Sequence, residues 1–209
     1  MPFGELTYSQ LVSVHFDHAY GVNNVILKYP YKPGLGQYIS LVFPSETEIP
    51  LTVGDYEEDT RNLSLYIESE RIISKLTGKK YVLVKGPLGR PITITNIKTV
   101  LGVIKNKFNF LDLRYILKEL RKRGITVRVA CLDGCNIEGF ENVRKLDDNY
   151  DLIIASVPES EITSLPKKAL VYVRWVKMNC NLGVCGECNY KGLLPCIEGP
   201  FVEVKELVD

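Results

Sequence analysis

Histidine is nearly missing from this chain: only His15 and His18 occur in 209 residues, and tryptophan occurs once. Both histidines lie in "SVHFDHAY", where no serine or cysteine can be placed against them from the sequence. A base and nucleophile of the hydrolase or transferase kind therefore have no visible counterpart, and we read the pair as surface or packing residues. An excess of one charge is missing too. The 26 Lys and Arg against 25 Asp and Glu leave a net charge of +1, which gives no pull toward nucleic acid or an anionic membrane surface. No apolar run approaches the roughly 20 residues of a bilayer crossing, and "MPFGELTYSQLVSV" lacks a basic start followed by a hydrophobic stretch. A soluble cytoplasmic chain with no membrane span and no nucleic-acid partner is the expectation. Its 45% hydrophobic content suits a folded core and not a disordered chain.

What is present falls into three stretches. Residues 1–96 read as short strands between turns, which predicts an antiparallel barrel or sandwich, taken here as a β-barrel: "QLVSVHF", "NVILKY", "GQYISLVF", "NLSLYIE" and "KYVLVKG" carry the β-branched and aromatic residues, and "KPGLG", "VGDYEED" and "GPLGRP" the turn signals. One short helix is expected there, around Glu70 to Leu76. Residues 97–176 alternate strand and helix ("TVLGVI", "NFLDLRYILKELRKR", "ITVRVAC", "DLIIAS", "ALVYVRW"), the pattern of an α/β domain with a parallel sheet. In that helix Phe110, Leu113, Ile116, Leu117 and Leu120 recur at threes and fours as a core stripe, with Asn109 as expected cap, Asp112 three residues on, and Gly124 past the basic last turn. Residues 177–209 form a tail too short for its own core, expected to depend on a metal and on its neighbours.

The tail holds four of the six cysteines, spaced Cys180-x4-Cys185-x2-Cys188-x7-Cys196. In a reducing compartment such a cluster points to metal before disulfides. Zinc sites favour two knuckles of similar length. C-x4-C-x2-C followed by a distant fourth cysteine is instead the plant-type spacing for a [2Fe-2S] cluster, although the closing gap is shorter here. Gly183 and Gly186 let the backbone approach inorganic sulfide and donate amide hydrogen bonds. We therefore take [2Fe-2S] ahead of zinc, with Cys180, Cys185, Cys188 and Cys196 as ligands. The remaining cysteines, Cys131 and Cys135, lie near a strand end in "VRVACLDGC" and are read as structural.

"CNLGVCGEC" and "CIEGPFVEVKEL", supported by "GQYISLVFP" and "GPLG", resemble the electron-transfer subunit of dihydroorotate dehydrogenase, within the ferredoxin-reductase superfamily. The resemblance runs over most of the chain. It implies a ferredoxin-reductase-like fold with FAD between barrel and α/β domain, a [2Fe-2S] relay, and a hetero-oligomer with an FMN-containing catalytic flavoprotein subunit of pyrimidine biosynthesis. The superfamily reuses this arrangement, so an electron-transfer subunit of a hydrogenase or sulfide reductase stays open, as does a zinc-stabilised binding module. The family's flavin signature falls on Ile49-Pro50-Leu51-Thr52, which has no arginine for the pyrophosphate. Pro50, Thr52 and the main chain at Gly86 are what the resemblance leaves to hold FAD. The later phosphate-contacting stretch falls on "ESERIISKL", whose acids repel phosphate. The family's glycine-rich turn falls on "GVIKNKFNF", where residues 105–110 contain no glycine. Lys105 and Lys107 lie in that loop. FAD is therefore doubtful, and NAD is not the expected acceptor.

Overall fold

The computed structural model describes residues 4–147 and 149–208. Its first half is a seven-stranded antiparallel sheet built from β1 (Glu5–Asp17), β2 (Val22–Lys28), β3 (Tyr38–Phe43), β4 (Thr47–Thr52), β5 (Asp55–Glu57), β6 (Asn62–Ile67) and β7 (Tyr81–Leu88), with α1 (Glu70–Leu76) between the last two. The alternation in "NLSLYI" turns Leu63, Leu65 and Ile67 inward, and Leu27, Ile39, Leu41 and Val84 join them in one buried core. The strand order is β4-β3-β7-β1-β2-β6-β5. Strand β1 is long enough to pair with β7 through Glu5–Gln10 and with β2 through Leu11–Asp17, and its register shifts between Leu11 and Ser13 as it changes partner. The end strands β4 and β5 are not hydrogen-bonded to each other. The expected barrel is thus an open sheet. Strand β5 arises inside "VGDYEED", which the sequence presents as a turn, because Tyr56 is buried and pairs with Leu63.

The second half contains β8 (Thr99–Ile104), α2 (Lys107–Lys122), β9 (Thr126–Cys131), β10 (Glu141–Val143), β11 (Leu152–Ser156), β12 (Leu170–Tyr172), α3 (Pro195–Glu198) and β13 (Phe201–Glu203). The order β10-β9-β8-β11-β12-β13 is parallel except at β13, which runs antiparallel to β12. The sheet is therefore mixed, where a parallel one was expected: the tail's "FVE" supplies its edge strand. Gly102 on β8 permits close helix packing, since a Cβ there would lie 2.8 Å from Leu117 of α2.

Helix α2 begins at Lys107, three residues ahead of the start that a cap at Asn109 would give. Asn106, in an extended conformation, accepts hydrogen bonds from the backbone N–H of Phe108 and Asn109 and is the cap. Asn109 is buried instead and donates to Ser156 Oγ. The helix lies against both sheets. Its apolar stripe packs on β8, β9 and β11, while Tyr115 donates to the Pro33 carbonyl at 2.7 Å and Arg114 pairs with Asp55 at 3.0 Å.

Candidate metal centre

After β12 the chain returns to the antiparallel sheet before supplying β13. Three features shape the stretch 180–196. Asn181, Gly183 and Gly186 adopt left-handed conformations, turning successive amides toward one side. Tyr190 and Leu193 exchange 3.0 Å backbone hydrogen bonds around Lys191 and Gly192, a tight reversal that takes up most of the last cysteine gap. Pro195 then starts α3, placing Cys196 in its first turn. At Gly183 the left-handed φ of 72° favours glycine, and a Cβ there would also stand 2.7 Å from the Ile197 side chain.

The four thiols are unbonded and sort into two pairs. Cys188 and Cys196 are buried with sulfurs 3.1 Å apart. The Cys185 N–H points at the Cys180 sulfur at 3.4 Å, and Cys185 itself is exposed. Burial raises the Cys180 thiol, but the amides of Cys185, Leu182 and Val184 outweigh it and the group falls to about 6. Burial, then the Cys188 thiol, pushes Cys196 up to about 12 against one amide bond from Gly183. Among the described residues no three His, Cys, Asp or Glu side chains gather as a site for a single metal ion.

The antiparallel sheet grips this segment through buried polar groups that the sequence does not single out. Tyr38, on β3, shares its hydroxyl proton between Asn181 Oδ1 at 3.2 Å and the Cys196 carbonyl at 3.0 Å. Burial beside the Cys196 and Cys188 thiols holds that phenol well above its ordinary range. Asn181 Nδ2 donates to Ser40 Oγ at 3.3 Å and to Glu48 Oε2 at 3.1 Å. Lys85, on β7, donates to the Cys180 carbonyl at 2.8 Å and to both Glu48 oxygens at 2.9 and 3.1 Å. Tyr38, Leu88 and Met178 pack on Cys188 and Cys196.

The cleft between the two sheets is a cavity of about 230 Å³, below the roughly 300–1,000 Å³ of small-molecule sites. Pro50 and Thr52, on β4, line it. Gly86 does not: it sits within the sheet against Ile39 and Tyr29. The Thr52 hydroxyl is already engaged, donating to Asp112 Oδ1 at 3.2 Å. Asp112 also accepts from Ser156 at 2.7 Å and from Arg174 at 3.1 and 2.9 Å, and the Arg174 guanidinium lies 4.3 Å over the Phe108 ring. Burial raises the Asp112 carboxyl; Arg174, Ser156 and Thr52 pull the other way without cancelling it. Glu68 stands 3.9 Å from Arg174, and Glu70 occupies the first turn of α1. These residues do not fit FAD. The cation that lines the cleft, Arg174, is committed to Asp112 with Glu68 beside it, and the expected hydroxyl of Thr52 is engaged by the same carboxylate, so neither is free for a flavin pyrophosphate.

At the carboxyl ends of the parallel strands, Lys105 pairs with Asp133 at 2.9 Å and Glu161 at 2.6 Å instead of standing free as a loop cation. The Asn106 side chain occupies the α2 amides that a dinucleotide pyrophosphate would use. His15 and His18 are exposed, the latter edge-on to Phe16. Cys131 and Cys135, read from the sequence as structural, are joined by a disulfide.

No family model and no curated protein matches the chain. Solved structures do. The NADH-dependent reduced ferredoxin-NADP oxidoreductase of flavin-based electron bifurcation is similar over 97% of this chain and 89% of its own, at TM-score 0.72 and 18% identity. Phthalate dioxygenase reductase, described as a modular structure for electron transfer from pyridine nucleotides to [2Fe-2S], is similar over 88% of this chain and 85% of its own, at TM-score 0.60 and 10% identity. The ferredoxin reductase of carbazole 1,9a-dioxygenase covers 77% of this chain, over 64% of its own length, at TM-score 0.52 and 12% identity. These similarities define a ferredoxin-reductase-like fold. The names of these structures lend no support to the expectation that NAD goes unused; only the chain's own loop at Lys105 to Phe110 speaks to it. Among the described residues no helix is long and apolar enough to cross a membrane.

Proposed function

We propose that the chain is an electron-transfer subunit in which Cys180, Cys185, Cys188 and Cys196 hold a [2Fe-2S] cluster, and that it serves a dihydroorotate dehydrogenase-type complex of pyrimidine biosynthesis. The observation that carries the reading is the sorting of the four thiols into two pairs beneath backbone amides aimed at sulfur. Two irons each take two thiolates, whereas one zinc needs four sulfurs around a single point. When bound, the cluster supplies a one-electron carrier between the FMN of a catalytic partner subunit and an acceptor other than NAD. The N–H groups of Leu182, Val184 and Cys185 stabilise negative charge on sulfur. Val184, 82% exposed, and Cys185 form the lip that faces the partner in a hetero-oligomer. Tyr38, Asn181 and Lys85 fix the loop to the sheet, so its shape does not depend on the cluster alone.

The ferredoxin-reductase-like fold and the electron-transfer roles named for similar structures support the general class. The orotate-type partner rests on the resemblance carried by "CNLGVCGEC" and "CIEGPFVEVKEL". This reading needs no FAD, since Asp112 and Arg174 in the inter-sheet cleft engage each other and the Thr52 hydroxyl, and it takes the protein to be cytoplasmic.

Anaerobic purification with and without the catalytic flavoprotein tests it. Broad visible bands that bleach with dithionite, about two irons per chain and no extractable FAD are expected. Cys185→Ser or Cys188→Ser should lose most of the iron. A colourless protein holding zinc would refute the cluster, and stoichiometric FAD would refute the flavin-free cleft.

A further inference from the structure

We propose that Cys131 and Cys135 form a reversible dithiol–disulfide site, separate from the four-cysteine segment, that exchanges with a dithiol in solution while the chain stays folded. The two are bonded, with Cα atoms 5.4 Å apart and a sequence separation of 4. Cys131 ends β9, so the ring opens at the carboxyl edge of the parallel strands, the edge at which open α/β sheets present their reactive groups.

The bond contributes little to the shape of its own loop. Leu132 N–H donates to the Ile104 carbonyl at 2.9 Å, Asp133 N–H to the Lys105 carbonyl at 3.1 Å, and Gly134 N–H to the Cys131 carbonyl at 3.0 Å. The Asp133 carboxylate is tied to Lys105 as well. A cross-link stabilises a fold chiefly by shortening the unfolded chain's reach, an effect that grows with ring size, and this ring encloses only residues 132–134. For so short a ring that effect is about 2 kcal/mol, at the low end for a cross-link.

The geometry suits exchange instead. Leu132, Asp133 and Gly134 are exposed and both cysteines are partly so, which gives an attacking sulfur an open approach. Cys131 Sγ lies 3.4 Å from the Lys105 carbonyl, ready to accept a thiol S–H once the bond is broken. In the first step a thiolate of the incoming dithiol bonds to Cys135 Sγ, and the Cys131–Cys135 bond breaks. The electron pair leaves on Cys131, which takes from solvent a proton released by the dithiol and keeps it in an S–H hydrogen bond to the Lys105 carbonyl. The second thiolate of the dithiol then attacks its own sulfur in the mixed disulfide and releases Cys135, also protonated. The dithiol is oxidised to a disulfide, and the chain gains two electrons and two protons.

The test follows reduction of the intact chain by dithiothreitol, with iodoacetamide quenching and mass mapping of the peptide holding residues 131 and 135, which keeps the other four thiols out of the measurement. Reduction in native buffer within about thirtyfold of the rate in denaturant, and re-formation of the bond by oxidised dithiothreitol without unfolding, are expected. A larger acceleration by denaturant, or failure of the folded chain to re-form the bond, overturns the proposal. As a second measurement, the double variant Cys131→Ser/Cys135→Ser should keep the native unfolding midpoint within a few degrees; a large drop would make the bond structural and overturn it equally.

Discussion

Lys85→Met is the sharpest probe of how the antiparallel sheet holds the cysteine segment. Lys85 is 7% exposed, and its ammonium makes three hydrogen bonds, at 2.8 Å to the Cys180 carbonyl and at 2.9 and 3.1 Å to Glu48. Methionine refills the aliphatic stem and removes only the donor. The lost charge-assisted bond to a buried carbonyl is worth about 1.5–3 kcal/mol. Breaking a fully buried ion pair costs about 3–5 kcal/mol, but the Glu48 side chain is 28% exposed and keeps its bond from Asn181, so water and amide recover part of that. A total near 3 kcal/mol results, and for a chain of this size roughly 2–4 °C per kcal/mol gives a drop of about 6–12 °C in Tm. Thermal unfolding followed by circular dichroism measures it. The decisive comparison is Lys85→Met/Glu48→Gln, expected to be more stable than Lys85→Met alone because the uncompensated carboxylate is gone. A drop under about 2 °C, or a double variant less stable than the single, would refute the clamp.

Arg174→Leu should destabilise by about 2–3 kcal/mol, the low end of a broken buried pair because Arg174 is partly exposed. Burial already raises Asp112, and a carboxyl whose folded pKa exceeds its unfolded value loses stability as pH rises through the folded value. Removing Arg174 moves that pKa further up, so the deficit should grow as pH rises through the Asp112 titration and be smaller at pH 4 than at pH 7 in paired melting curves. Asp151 is the opposite case: the backbone N–H groups of Lys98 and Thr99 and the Thr99 hydroxyl hold it below the usual carboxylate range. Its contribution is present above the ordinary Asp pKa and lost as pH falls through the lowered one, so Asp151→Ala should melt earlier at pH 7 and match the parent in strong acid. Gly183→Ala forces a side chain into a left-handed residue 2.7 Å from Ile197, at a cost of about 1–2 kcal/mol from backbone strain alone, and iron content in the purified variant should fall.

Much of the architecture was legible because it rests on local pattern. The alternation of "NLSLYI", the stripe from Phe110 to Leu120 and the α1 span at Glu70–Leu76 all reappear in the structure. The errors share a cause. Two asparagines three residues apart both suit a helix cap, and burial of Asn109 against Ser156 left the role to Asn106. Tyr56 sits in a stretch of turn-forming residues, yet its burial made a strand. The sheet's closure and the antiparallel edge strand β13 depend on which strands meet, and strand pattern is silent on that.

The sequence by itself determined the α/β alternation, the plant-type cysteine spacing and the absence of glycine between residues 105 and 110, since each is a property of neighbours along the chain. Only the tertiary structure decided that the four thiols fall into two pairs, that Cys131 and Cys135 are bonded, and that Tyr38 and Lys85 grip a loop 158 and 95 residues away. It also decided that Asp112, which reads as a helix first-turn acid, pairs with Arg174 in the inter-sheet cleft. The reason is physical: a buried polar group must find its partner wherever the fold brings one, and nothing in its sequence neighbourhood records which partner that is.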